Sequence, residues 1–175
     1  MPVEALRVEG WDTSRQRQDT MQVTGLYETH LPVTDLDRSV AFYRDVVGLQ
    51  LAQLMPERGI AFFWIGAPRQ AMLGLWQSNP LLRMHLHIAF SVSLEELLAA
   101  PTTLRRAGIV PRGFSGEETD EPVVLPWVPA ASVFCTDPDR HSLEYLSVLP
   151  ERPRPELGIV STISWSEWRR VVTNG

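Results

Sequence analysis

The sequence predicts an α+β protein built from two units of the same order: a strand, a helix, then further short strands. Three observations predict it. Two strand-like segments, 26–33 and 85–92, each run into an amphipathic helix with a polar residue at its start. A glycine, Gly48 or Gly108, follows each helix. Short apolar runs separated by turn residues come after both.

The first strand reads from Leu26 to Val33, its side chains alternating between two faces. Thr34 is placed to cap the helix behind it, and Asp37 suits the positive end of the helix dipole. Leu36, Val40, Tyr43 and Val47 form one apolar stripe at three- and four-residue spacing. The runs 49–54, 60–65 and 71–76 then have strand length, with 57–59 and 67–69 as turns.

In the second unit Ser93 and Glu96 have capping-box spacing and open a helix toward Ala107. Pro101 interrupts its pattern, so a kink or two short helical pieces are expected. Extended segments are expected near Val110 and at 123–125, 132–135 and 142–148, with the acidic stretch 113–122 as a mobile loop beside the site. Laid over each other, 28–36 and 87–95 put Glu28 opposite His87 and Thr34 opposite Ser93. Residues 1–21 read as a flexible polar tail and 22–149 as the folded domain, with modules at about 22–80 and 83–149. A proline-stiffened linker opens the extension 150–175, whose Trp165 and Trp168 are expected to pack on the domain or on a partner subunit.

Composition narrows the function. Across 175 residues the net charge is −5 and no basic run occurs, which argues against nucleic acid. No stretch approaches the roughly 18 apolar residues of a membrane span, and no secretory signal is read, so a cytoplasmic protein is expected. The single cysteine, Cys135, excludes an internal disulfide and reads as a buried inert thiol.

Three stretches carry a family resemblance. Residues 33–48 (VTDLDRSVAFYRDVVG), 87–92 (HIAFSV) and 137–144 (DPDRHSLE) resemble, in this order and spacing, the first helix, second-module strand and closing turn of the vicinal-oxygen-chelate superfamily. That superfamily includes glyoxalase I, methylmalonyl-CoA epimerase, fosfomycin-resistance enzymes, extradiol dioxygenases and bleomycin-resistance proteins. The resemblance implies two βαβββ modules forming a cup-shaped mixed sheet. It also implies a divalent metal ion held by residues on the strands that open and close each module, and a homodimer whose sites draw on both chains.

His87 and Glu144 match two ligand positions of this pattern, and imidazole with carboxylate suits Zn, Ni, Mn or Fe(II). The first ligand position, seven places before Asp35, is Glu28 where the family has His or Gln. His30 is co-facial with it and stands as the alternative ligand, or as a contact to ligand or substrate. A fourth position falls at Gly74, where glyoxalase I and the epimerase would carry a carboxylate. Met72 and Trp76 share that face, and Trp76 reads equally as pocket wall or core. The register of Trp64 is open, His85 reads as solvated or structural, and His141 is assigned to the turn. Arg140 stands where the family has glycine, so a positive φ at a non-glycine, or another turn type, is expected there.

The leading reading is a metal-dependent enzyme acting on a small substrate with vicinal oxygens, a lyase, isomerase or ring-opening enzyme, with Glu28 or Glu144 moving a proton. The alternative is a metal-free protein that sequesters an aromatic or cationic small molecule, using Trp76 and the acidic pocket. A third is an interaction domain whose pocket has decayed, against which four titratable groups in one cup argue.

Overall fold

Strands with one greasy and one polar side account for most of the architecture. The computed structural model describes residues 21, 23–79, 84–158 and 161–173, so all but Met21 of the expected N-terminal tail lies outside the described residues. In strand β1 (Glu28–Val33) Leu31 and Val33 are buried, while Glu28 and His30 are exposed. Helix α1 (Leu36–Asp45) sets Leu36, Val40, Phe42 and Tyr43 into the core. Strands β2 (Gln50–Met55), β3 (Ile60–Ile65) and β4 (Ala71–Gln77) complete the first module. Its sheet has the order β1-β4-β3-β2, with β1 parallel to β4 and the other pairs antiparallel.

The second module repeats the plan. Strand β5 (His87–Ser91) leads into helix α2 (Leu94–Arg106), followed by β6 (Val123–Leu125), β7 (Ala130–Thr136) and β8 (Ser142–Val148). The order is β5-β8-β7-β6-β9, again with one parallel pair, β5 on β8. The mixed sheet therefore resolves into two sheets, one per module. Strand β9 (Ile163–Ser164) lies antiparallel on β6, and helix α3 (Trp165–Thr173) follows with Trp168 fully buried. Trp165 is partly buried, and the Arg169 guanidinium lies 5.8 Å from its ring centroid.

Several local expectations are corrected. The cap of α1 is Asp35, whose side chain accepts the Arg38 N–H at 3.0 Å. Thr34 is engaged elsewhere: its N–H and hydroxyl both donate to Asp139 Oδ1, at 3.1 and 2.5 Å. Helix α2 is continuous through Pro101, which leaves the Leu97 carbonyl without its usual i+4 donor but adds a buried ring between Leu97 and Leu104. Its predicted capping box is present. Near Val110 there is no strand; instead Arg112 makes isolated bridges to Glu118 and Phe134. The acidic loop behind it is tied down, since Arg105 pairs with Glu118 and Asp120, and Arg112 Nη1 donates to the Gly116 carbonyl at 2.7 Å. Arg140 does adopt the left-handed conformation, with φ at 71°.

The turn that contains Arg140 joins the modules. Asp137 Oδ1 accepts the N–H groups of Asp139 and His141 at 2.9 and 2.7 Å, and Oδ2 accepts the Tyr43 hydroxyl at 3.0 Å. Asp139 reaches Thr34, Ser39 and Arg38 at the start of α1. His141 is fully buried; its Nδ1 accepts the Leu86 N–H at 3.1 Å and its Nε2–H donates to the Pro32 carbonyl at 2.7 Å. A neutral ring carrying its proton on Nε2 satisfies both bonds. Burial pushes the Asp137 carboxyl above the ordinary range, against the opposing pull of its hydrogen bonds.

Two outcomes follow. His141→Ala leaves two partly buried backbone groups unpaired and a void, and is expected to cost roughly 2–4 kcal/mol in denaturant unfolding. The Cys135 thiol, pushed up to about 12 by burial, is expected to resist iodoacetamide at pH near 8 in the native protein and to react fully once unfolded.

Candidate functional site

The register of the two parallel strand pairs brings the polar faces into correspondence. Glu28 lies beside Met72 and His87 beside Ser142, so two residues further on Gly74 and Glu144 are equivalent positions. The same registers pair His30 with Gly74 and Ala89 with Glu144. Across the next strand Phe62 faces Gly74, and Phe134 faces Glu144. The internal duplication thus extends over five strand positions in each module.

On the second module His87 Nε2 lies 3.0 Å from Glu144 Oε2. Both groups are held from behind. Ser132 Oγ donates to Glu144 Oε1 at 2.5 Å, and Ser142 Oγ lies 3.2 Å from His87 Nδ1. Glu144 is only 7% exposed, so its second oxygen is aimed rather than free to wander. The His87 side chain is half exposed, and Phe134 lies beside it with ring centroids 6.2 Å apart. Phe114, from the tethered loop, packs edge-on against Phe134.

On the first module Glu28 Oε1 lies 2.6 Å from His30 Nε2. The His30 ring stacks on Trp76 at 5.1 Å and meets Phe62 at 6.0 Å. It lies directly over Gly74, where a Cβ would come within 2.5 Å of His30 Cδ2. Glycine is therefore required there by the imidazole above it. Trp76 is 45% exposed and forms the outer wall of this face. Trp64 pairs with Met72 and so shares it. His85 is exposed.

The candidate residues therefore gather as two imidazole–carboxylate pairs on two sheets. Glu28, His87 and Glu144 do not converge within one chain: among the described residues no three His, Cys, Asp or Glu side chains are placed to hold one ion. Each pair sits on a sheet face directed away from the helices, and Glu28, His30 and His87 remain substantially open. As a donor set, imidazole nitrogen and carboxylate oxygen fit a divalent transition metal, and the serine hydroxyls behind His87 and Glu144 are the outer partners such ligands need. One chain supplies two donors at each place, so the fit requires two faces to meet. Ser132, Phe134, Phe62 and Phe114 escaped the sequence reading; the first two alternate in step with Glu144 once the β7–β8 register is known.

The chain belongs to the Glyoxalase/Bleomycin resistance protein/Dioxygenase superfamily, whose profile matches residues 25–145. Its fold is similar to that of an integron cassette protein from the mobile metagenome of the Halifax Harbour sewage outfall (26% identity, TM-score 0.63, covering 71% of this chain and 99% of that one). It is similar to a lactoylglutathione lyase from Agrobacterium tumefaciens (26% identity, TM-score 0.57, covering 73% and 96%). A glyoxalase/bleomycin resistance protein/dioxygenase from Nocardioides matches at 25% identity and TM-score 0.57, covering 81% and 94%.

Ser132→Ala removes the hydroxyl that satisfies a buried carboxylate oxygen. It is expected to lower unfolding free energy by about 1–3 kcal/mol, read by denaturant titration at neutral pH.

Proposed function

We propose that this protein is a metal-dependent enzyme acting on a small substrate with vicinal oxygens, with chemistry of the lyase, isomerase or ring-opening type. The observation that carries the reading is the His87–Glu144 pair: a buried carboxylate oriented by one serine, beside an imidazole backed by another. A carboxylate this buried needs partners; Ser132 and His87 supply them, and leave its Oε2 directed to the side of the imidazole, where a cation could also be met. The similarity to a lactoylglutathione lyase supports the enzymatic class.

In this reading His87 and Glu144 of one chain hold a divalent ion (Zn, Ni, Mn or Fe), with Glu28 of a second chain as a further ligand and His30 as the alternative to Glu28. When bound, the ion would act as a Lewis acid on two neighbouring substrate oxygens. The protein's own part is positioning and proton transfer. Glu28 stands on the open face and is the carboxylate able to take a proton from the substrate and return it, whereas Glu144 is fixed by Ser132. Trp76, Phe62 and Phe134 supply flat apolar walls that orient the substrate and thin the water around it. The working form is a homodimer in which the first module of each chain faces the second module of the other, and the cytoplasm is its compartment.

A second reading is favoured by the exposed Trp76, which stacks on the imidazole that Glu28 pairs with. Open aromatic area on the same face as a carboxylate also suits a metal-free protein that sequesters an aromatic cation.

Metal analysis and hydrodynamics separate the two. We expect one transition-metal ion per chain, a dimer in sedimentation, and loss of the ion in His87→Ala. Mixing Glu28→Ala with His87→Ala chains is expected to restore one intact site per heterodimer. A metal-free dimer that binds an aromatic ammonium compound would favour sequestration.

A further inference from the structure

The two half-sites contain the same two chemical groups, but the strands that supply them are exchanged. In the second module the strand β5 residue is the imidazole, His87, and its carboxylate partner Glu144 reaches over from β8 above the small Ala89. In the first module the equivalent β1 residue is the carboxylate, Glu28. The position equivalent to Glu144 is Gly74, and the position equivalent to Ala89 is His30. Large and small have traded places across the strand pair. The His30 ring fills the space that a side chain at 74 would need, with a Cβ there falling 2.5 Å from Cδ2 and 3.0 Å from Nε2.

The exchange preserves the donor geometry. Glu28 Oε1 and His30 Nε2 are 2.6 Å apart; His87 Nε2 and Glu144 Oε2 are 3.0 Å apart. In each module the imidazole offers Nε2. His30 also stacks on Trp76 and meets Phe62 edge to face, with its Nε2 directed at Glu28. A residue merely filling the gap left by glycine would need none of this alignment.

We propose that His30 is a metal donor together with Glu28, replacing from the neighbouring strand the carboxylate absent at Gly74. The site is then four-donor, two imidazoles and two carboxylates, rather than a three-donor site missing one ligand. This rests on the metal-dependent reading above and specifies its ligand set.

The test uses the full-length protein and Ni²⁺ alone. X-ray absorption of the Ni²⁺-loaded wild type is expected to count two imidazoles per ion; one imidazole would overturn the proposal while leaving the metal-dependent reading intact. By calorimetry, His30→Ala is expected to weaken Ni²⁺ binding at least tenfold, since loss of even an outer-shell partner of a metal ligand costs about 10–100-fold. The double variant His30→Ala with Gly74→Glu reproduces the Ala89–Glu144 strand pair of the second module beside Glu28, returning a donor from β4 in place of the lost imidazole, and is expected to recover affinity to within about threefold of wild type. Unaltered binding in His30→Ala, or no recovery in a double variant that remains dimeric with an unchanged melting temperature, would refute it. Failure of the double variant to fold leaves the imidazole count, which needs no substitution, to decide. A wild type that binds no Ni²⁺ would remove this proposal and the metal-dependent reading together.

Discussion

The turn Asp137–His141 holds the molecule in register, because through it the second module grips the first. Asp137 takes the Tyr43 hydroxyl from α1, Asp139 takes Thr34, Ser39 and Arg38 at the β1–α1 corner, and His141 ties the Leu86 N–H to the Pro32 carbonyl. None of these groups could be buried singly without penalty; together they satisfy one another. The turn also leads straight into β8, whose first residue Ser142 accepts pairing from His87. The linkage that joins the modules is thus the one that sets the position of Glu144 relative to His87.

A second constraint is the two-sidedness of the sheets. Leu31, Val33, Ala61, Phe63, Leu73 and Leu75 turn inward on the first sheet, and α1 covers them. With α1 committed to that side, the opposite face of the first sheet is left open and carries Glu28, His30 and Trp76. Strand period two makes this an all-or-nothing arrangement: a slip of one residue would bury Glu28 and expose Leu31. The two imidazole–carboxylate pairs are therefore placed by the core.

Much of this was legible in the sequence because it is local. Helical periodicity marked α1 and the Ser93–Glu96 box marked α2, and of the two outcomes the resemblance left for Arg140, a positive φ or another turn type, the first is found. Counting back from Asp35, and the overlay of 28–36 on 87–95, both pointed to Glu28 at the position equivalent to His87, which the strand registers match. What was hidden depends on contacts distant in sequence. Thr34 looks like a cap until Asp139, far along the chain, claims it. His141 looks like a turn residue because nothing nearby reveals the Pro32 carbonyl it will meet. Pro101 argues against a continuous helix by local rules, yet packing of Leu97, Ala100, Pro101 and Leu104 on the core prevails over one lost backbone bond.

The relation between His30 and Gly74 belongs to a third category, legible only once two registers are compared. Taken alone, a glycine in a strand interior weakens the strand and suggests close approach of something else. Taken with the second module, the visitor has an identity: an imidazole standing where a carboxylate stands in the other half. A duplicated module can change which strand supplies a group without changing the group's place, provided the facing residue shrinks by as much as the new one grows. Ala89 beneath Glu144 and Gly74 beneath His30 meet that volume condition in opposite senses. Two parallel strand pairs that differ by residue type at all four of these positions can therefore present the same pair of groups, imidazole and carboxylate, and a search for matching residues at matching positions would pass over the equivalence.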